Sequence, residues 1–146
     1  MSRILLTLIF SYCILNASAD IAICSEEEAR SAEVAVVAIN SWDELYQQFK
    51  QYSHCDDGAI AEGFSESISR LLAEQWMEVQ LTSRTLIQQS VFQRFLIEHI
   101  DETIPALRLE HIVKNIQEKC PGYLEDLCSK IEMEAIQILS HAKQIK

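Results

Sequence analysis

Apolar residues recur at helical spacing along most of this chain, and the alternation typical of strands is nearly absent. The longest apolar stripe covers about five helical turns and contains Ile60, Phe64, Ile68, Leu71, Leu72, Trp76 and Val79. Shorter stripes indicate further helices that contain Trp42, Leu45 and Phe49, then Val91 to Ile100, Leu109 to Ile116 and Tyr123 to about His141. We therefore predict an all-α fold.

Two short stretches predict helix starts by the capping box, in which a serine caps the helix and a glutamate three residues later bonds back to it. They are Ser25 to Glu28 and Ser41 to Glu44. The first helix would run toward Ile39. The run Val34 to Val37 is also compatible with a short strand, so both alternatives stay open there.

Single residues mark the later helix starts. Asp56 or Asp57 is a suitable N-cap for the long stripe, and Thr103 is one for a helix with Pro105 in its first turn. A polar segment, residues 82–85, and the pair Pro121-Gly122 are predicted breaks. Because short connections favour antiparallel neighbours, we expect a compact bundle of five to six helices with one or two disulfides.

Small residues lie four positions apart on another face of the long helix: Cys55, Ala59, Gly63 and Ser67. Glycine inside a helix costs about 1 kcal/mol relative to alanine. We therefore predict a packing reason for Gly63, the close approach of a second helix.

The amino-terminal segment has the order of a secretory signal peptide. Arg3 precedes an apolar run from Ile4 to Leu15, and Ala17-Ser18-Ala19 supplies small residues for cleavage before Asp20. The alternative is an uncleaved anchor, although the run is short for a span of roughly 20 residues. We expect a signal peptide at 1–19, a single helical domain at 20–146 and a periplasmic or secreted location.

The cysteine count agrees with export. Four of the five cysteines, Cys24, Cys55, Cys120 and Cys128, follow the signal segment, and an even number predicts two disulfides in an oxidising compartment. Cys120 and Cys128 bracket a predicted turn, which favours that pair and leaves Cys24 for Cys55 by elimination. The alternative is one local bridge and two thiols.

Charge is distributed unevenly along the chain. Residues 20–66 hold 11 acidic and 2 basic residues, a net charge of −9, whereas residues 67–146 hold 11 and 9, a net charge of −2. Nucleic acid and anionic membrane surfaces are disfavoured, because both are bound through clustered Lys and Arg. A basic protein partner fits an acidic half, and a merely solvated surface is the alternative.

The cluster His54-Cys55-Asp56-Asp57 is a weak candidate for chemistry. Four consecutive side chains rarely converge on one ion, and the spacing that structural zinc requires is missing. Neighbouring residues such as His54 and Cys55 usually point apart, so a nucleophile–base pair is not expected either. The sequence thus predicts no metal, no cofactor and no catalytic residue.

The same region offers an acidic edge for a basic partner. Asp56, Asp57, Glu62 and Glu66 lie at or near the start and exposed face of the long helix, where Glu66 is spaced to pair with Arg70. Tyr46 and Tyr52 are the predicted anchors of such an interface, since aromatic residues dominate binding hot spots.

A small, acidic, helical domain with an export signal and a Cys55, Gly63-Phe64 helix resembles the periplasmic immunity proteins of bacterial type VI amidase effectors. That resemblance implies a helical, non-catalytic protein that neutralises a cell-wall-directed effector. Two other interpretations stay open, a structural protein of the periplasm and a carrier that holds a small apolar ligand between helices.

Overall fold

The structure is a computed structural model that describes residues 23–80 and 87–144. These residues form six α-helices and no strand: α1 (Glu26–Val37), α2 (Trp42–Tyr52), α3 (Gly58–Glu74), α4 (Ser90–Glu98), α5 (Ala106–Lys119) and α6 (Glu125–Gln144). Three 3₁₀ segments, Ser53–Cys55, Trp76–Gln80 and Gly122–Leu124, lie between them. The all-α bundle is confirmed, and the strand alternative for Val34 to Val37 is wrong. The predicted signal peptide at 1–19 and the predicted break at 82–85 lie outside the described residues.

Helix α3 packs against both α1 and α5. The Cys24–Cys55 bridge joins the starts of α1 and α3, and the Ser67 hydroxyl donates to the Val36 carbonyl at 2.7 Å near the end of α1. At the far end, the Asn115 amide of α5 donates to the Ala73 carbonyl of α3 at 2.7 Å. Helices α1, α3 and α5 therefore run in the same direction.

The return helix α2 runs antiparallel to α3. The indole N–H of Trp42, at the start of α2, donates to the Gln75 carbonyl just beyond the end of α3 at 3.1 Å. Helices α2 and α3 are thus antiparallel, as a short connection predicts, while α1, α3 and α5 are parallel to one another.

The first three helix starts follow from the capping residues. Ser25 and Glu28 form the predicted reciprocal box, with the Glu28 amide donating to Ser25 Oγ at 3.3 Å and the Ser25 amide to Glu28 Oε2 at 3.0 Å. Ser41 also caps its helix, but the Glu44 carboxylate accepts from the Asn40 amide at 2.7 Å, one residue earlier than predicted.

Two predicted boundaries are wrong. Helix α3 ends at Glu74, whereas the stripe predicts that it continues through Val79 toward a break at 82–85. Trp76 and Val79 instead continue the buried stripe in a 3₁₀ segment, whose repeat of three residues matches their spacing. Thr103 does not cap α5, since its amide and hydroxyl both donate to Asp101 Oδ1, and the helix starts after Pro105 without a side-chain cap.

The core confirms the long stripe and the role of Gly63. All seven residues of the stripe are buried. A Cβ placed on Gly63 would collide with Cγ2 of Val36 in α1, so only glycine fits between these helices. Both predicted disulfides, Cys24–Cys55 and Cys120–Cys128, are present.

Candidate functional site

A shallow depression with a volume of about 490 Å³ lies between α1 and the start of α3, and the Cys24–Cys55 bridge forms part of its wall. Four acidic residues line this acidic depression: Glu26, Glu33, Asp56 and Asp57. Asp57 caps α3 by accepting from the Gly58 amide at 2.8 Å, and Gly58 makes the turn with a φ of 51°. Asp57 is exposed, so its carboxylate faces solvent while it holds the helix start.

Asp56, by contrast, points into the protein. Its Oδ1 lies 3.1 Å from Nε2 of His99, which follows α4 and is only 4% exposed. The other ring nitrogen of His99, Nδ1, lies 2.8 Å from the Phe95 carbonyl oxygen. Asp56 is therefore chiefly an internal partner, and the predicted acidic edge loses one of its members.

The electrostatics of His99 reflect these contacts. Burial by itself lowers the pKa of His99, but hydrogen bonds to Asp56 and to the Phe95 carbonyl, together with the charges of Asp56 and Asp101, raise it above its ordinary value overall. Burial likewise raises the pKa of Asp101, yet hydrogen bonds from Ser65 and Thr103 and the His99 charge hold it below its ordinary range.

Glu28 is also used within the fold. Hydrogen bonds from the hydroxyl and amide of Ser25 lower the pKa of Glu28, and its Oε1 lies 3.6 Å from Nε2 of His54. The bridge, the capping box and this histidine thus fix one edge of the acidic depression.

The other two members of the predicted acidic edge, Glu62 and Glu66, differ in whether they form an ion pair. Glu62 is exposed on α3. Glu66 pairs with Arg108 of α5 at 2.5 Å, so the predicted Glu66–Arg70 pair is wrong. Arg70 instead donates to the Ile39 carbonyl at 2.6 Å, where it satisfies the backbone between α1 and α2.

Tyr46 and Tyr52 are wrong as exposed anchors, because both are buried, at 7% and 8% exposure. The Tyr46 hydroxyl donates to Gln89 Oε1 at 3.0 Å, and its ring meets Phe92 edge-on at 5.2 Å between centroids. The Tyr52 hydroxyl accepts from the Gln51 amide at 2.9 Å. Neither ring is presented to a partner.

Exposed apolar side chains lie instead on α1. Val34 is 71% exposed and Val37 is 62% exposed, and a Cβ on Gly63 would lie 3.5 Å from Cγ1 of Val37. Val37 is therefore close to α3, on the same helix as Glu33 of the acidic depression. Helix α1 therefore carries exposed acidic and exposed apolar side chains, Glu33 with Val34 and Val37.

A second concavity lies between the start of α5 and the end of α6. It has a volume of about 510 Å³ and is mostly apolar, with Ile104, Leu109, Ile138 and Leu139 in its wall and with Glu102 and His141 as polar members. We call it the α5–α6 groove.

Residues 23–80 and 87–144 contain neither a group of potential metal ligands nor a membrane-spanning helix. No group of three or more His, Cys, Asp or Glu side chains in these ranges is placed to hold a metal ion. Nor does any helix there combine the length and apolar character needed to cross a bilayer. The His99–Asp56 pair resembles a base and its orienting carboxylate, but both ring nitrogens already contact oxygens of the fold.

Comparison of the chain with protein-family models, with curated proteins and with solved structures gave no match.

Proposed function

We propose that this chain is an exported, non-catalytic binding protein, an immunity or inhibitor protein that neutralises a basic effector directed at the cell wall. The observation that carries the proposal is the acidic depression between α1 and α3, together with the exposed valines Val34 and Val37 on the same helix α1. Lysine or arginine side chains of a partner fit among its carboxylates, and the two valines supply apolar contact. The two disulfides are compatible with an oxidising compartment.

The charge distribution supports the same proposal. The net charge of −9 in residues 20–66 lies in the part of the chain that contains α1, α2 and the start of α3. Such a one-sided field steers a basic protein toward that side and raises its association rate more than its affinity. A stable complex buries about 800 Å² on each partner, so the contact would extend beyond the depression onto α1.

Reversing two exposed charges, Glu33→Lys with Glu62→Lys, should slow association with the basic partner by about tenfold at low salt and flatten its salt dependence. Neither residue caps a helix, whereas Asp57 does, so helix content should not change. The partner is obtained by capture on the immobilised protein, and stopped-flow or surface-based kinetics measures the rates.

A matched control reverses the same number of charges elsewhere. Glu110→Lys with Glu118→Lys changes the net charge equally on exposed positions of α5, a helix that packs against α3 and not against α1. The association rate of this control variant should fall much less. Equal losses in both double variants would mean that net charge alone steers the partner and that the depression is not the contact.

The α5–α6 groove supports the carrier as a second candidate. Its apolar wall and volume suit a small apolar ligand. Native mass spectrometry of protein purified from its source should then reveal a bound small molecule, and Leu139→Gln, which places an amide in the groove wall, should abolish the added mass. Protein that carries no added mass would remove the support for this candidate.

A further inference from the structure

We infer that His99, held between Asp56 and the Phe95 carbonyl, is a pH-sensitive clamp. As an imidazolium it fixes the connection 53–57 between α2 and α3, and when it loses a proton it releases that connection. This inference does not depend on the proposed binding function.

The geometry requires the charged form. A neutral imidazole has one N–H and one lone pair, whereas the imidazolium has two N–H donors. Both ring nitrogens of His99 face oxygens, the Phe95 carbonyl at 2.8 Å and Asp56 Oδ1 at 3.1 Å. A carbonyl oxygen and a carboxylate oxygen both accept hydrogen bonds, and neither donates one. In either neutral tautomer, the ring nitrogen without a hydrogen would direct its lone pair at one of these oxygens, and that contact would no longer be a hydrogen bond.

The contact that opens is the one to Asp56. The Phe95 carbonyl belongs to α4 and cannot turn away without breaking that helix, while the Asp56 side chain is 22% exposed and lies in a connection. Asp56 can therefore rotate toward water. Because Asp56 also lines the acidic depression, its release adds a carboxylate to that surface.

The groups around His99 come from four parts of the fold. Asp56 faces it from the 53–57 connection, and Asp101 acts on it from the connection after α4. Helices α3 and α4 contribute the uncharged rings of Phe64 and Phe95, at centroid distances of 5.7 and 4.2 Å. Asp101 accepts from Ser65 and Thr103, so it stays in place when His99 changes charge.

The sign of the pH dependence follows from the raised pKa of His99. Its stabilising contribution is complete below the pKa of an unfolded histidine, about 6.5, and is lost as pH rises through the higher pKa of the folded protein. The clamp is thus closed on the acidic side and opens on the alkaline side.

Nuclear magnetic resonance of the full chain tests the clamp directly. Two-bond proton–nitrogen correlations should find both His99 nitrogens protonated at about pH 6.5, the ordinary pKa of histidine. The amides of Ile60 and Ala61, which donate to the Asp57 carbonyl at 3.1 and 3.4 Å, report on the connection. The hydrogen-exchange protection factors of these two amides should fall by about two- to tenfold as His99 loses its proton, the factor that one net hydrogen bond contributes. Protection factors are used because they are corrected for the intrinsic pH dependence of exchange. The Leu124 amide, bonded to the Pro121 carbonyl at 2.8 Å, is the internal reference and should not follow this titration.

Two matched variants separate the clamp from general charge effects. Asp56→Asn can donate its amide to a neutral His99, so the pKa of His99 should fall and the protection of Ile60 and Ala61 should lose its dependence on that titration. Asp57→Asn removes the neighbouring charge but keeps a good N-cap, and it should leave the wild-type pH dependence unchanged.

Two results would overturn the inference, and both come from the unmodified protein. One is a His99 that carries a single N–H at about pH 6.5. The other is a His99 that titrates while the protection of Ile60 and Ala61 stays constant relative to Leu124.

Discussion

Replacing Cys24 and Cys55 together with alanine should lower the free energy of unfolding by about 4 kcal/mol, because a cross-link restrains the unfolded chain in proportion to the logarithm of its loop length. The bridge joins residues 31 positions apart, and it ties the segment before α1 to the start of α3. Equilibrium unfolding in urea measures the change. The slope of the free energy with urea should also increase, since the unfolded chain without the bridge exposes more surface.

The second disulfide provides the matched control. Cys120 and Cys128 are 8 positions apart, so their replacement by alanine should cost less, about 2.5 kcal/mol on the same chain-entropy estimate. Each pair contains one deeply buried cysteine, Cys55 at 4% and Cys128 at 3% exposure, so the loss of packing is similar. Equal losses from the two replacements would contradict the chain-entropy explanation, which requires the bridge with the longer loop to contribute more.

The helices could be predicted from the sequence because local patterns determine them. Ser25, Ser41 and Asp57 cap helices through bonds to residues within three positions. The end of α3 could not be predicted from the apolar stripe. Trp76 and Val79 are three residues apart, a spacing that an α-helix and a 3₁₀ helix both bury on one face.

The burial of the tyrosines, in contrast, was visible in the pattern. Tyr52 follows Phe49 by three residues, and Phe49 follows Leu45 by four, so Tyr52 continues the buried face of α2. The prediction that Tyr52 anchors an interface rests only on its proximity to the acidic residues in the sequence. A position on an apolar stripe is better evidence for burial than sequence proximity to charge is for exposure.

The contacts that define the site could not be predicted, because they join distant parts of the chain. Asp56 meets His99 across 43 residues, and Glu66 meets Arg108 across 42. Helical spacing instead suggested Arg70 for Glu66, a partner four residues away. The one available signal for a special role is the position of His99 on the apolar stripe of residues 91–100, four residues after Phe95.

Gly63→Leu should lower the free energy of unfolding by about 1–3 kcal/mol, the usual cost of overpacking a core. A loss of stability would be informative, because helix propensity alone predicts a gain: leucine in place of glycine favours an isolated helix by up to about 1 kcal/mol. Even a Cβ at this position collides with Val36, whose side chain is fully buried and whose branched Cβ leaves few rotamers in a helix. Gly63→Ala should therefore also destabilise the protein. Thermal and urea unfolding measure both variants.

Two comparisons show whether the cost comes from the contact between α1 and α3. Gly122→Ala adds the same methyl group where no atom lies within 4 Å, and it should leave stability nearly unchanged. Val36→Ala removes the methyl groups that Gly63→Ala would strike, so the double variant should be more stable than the sum of the two single changes predicts. A Gly63→Ala protein that unfolds at a higher temperature than the parent would contradict the close approach, because the helix-propensity gain would then be the only effect left.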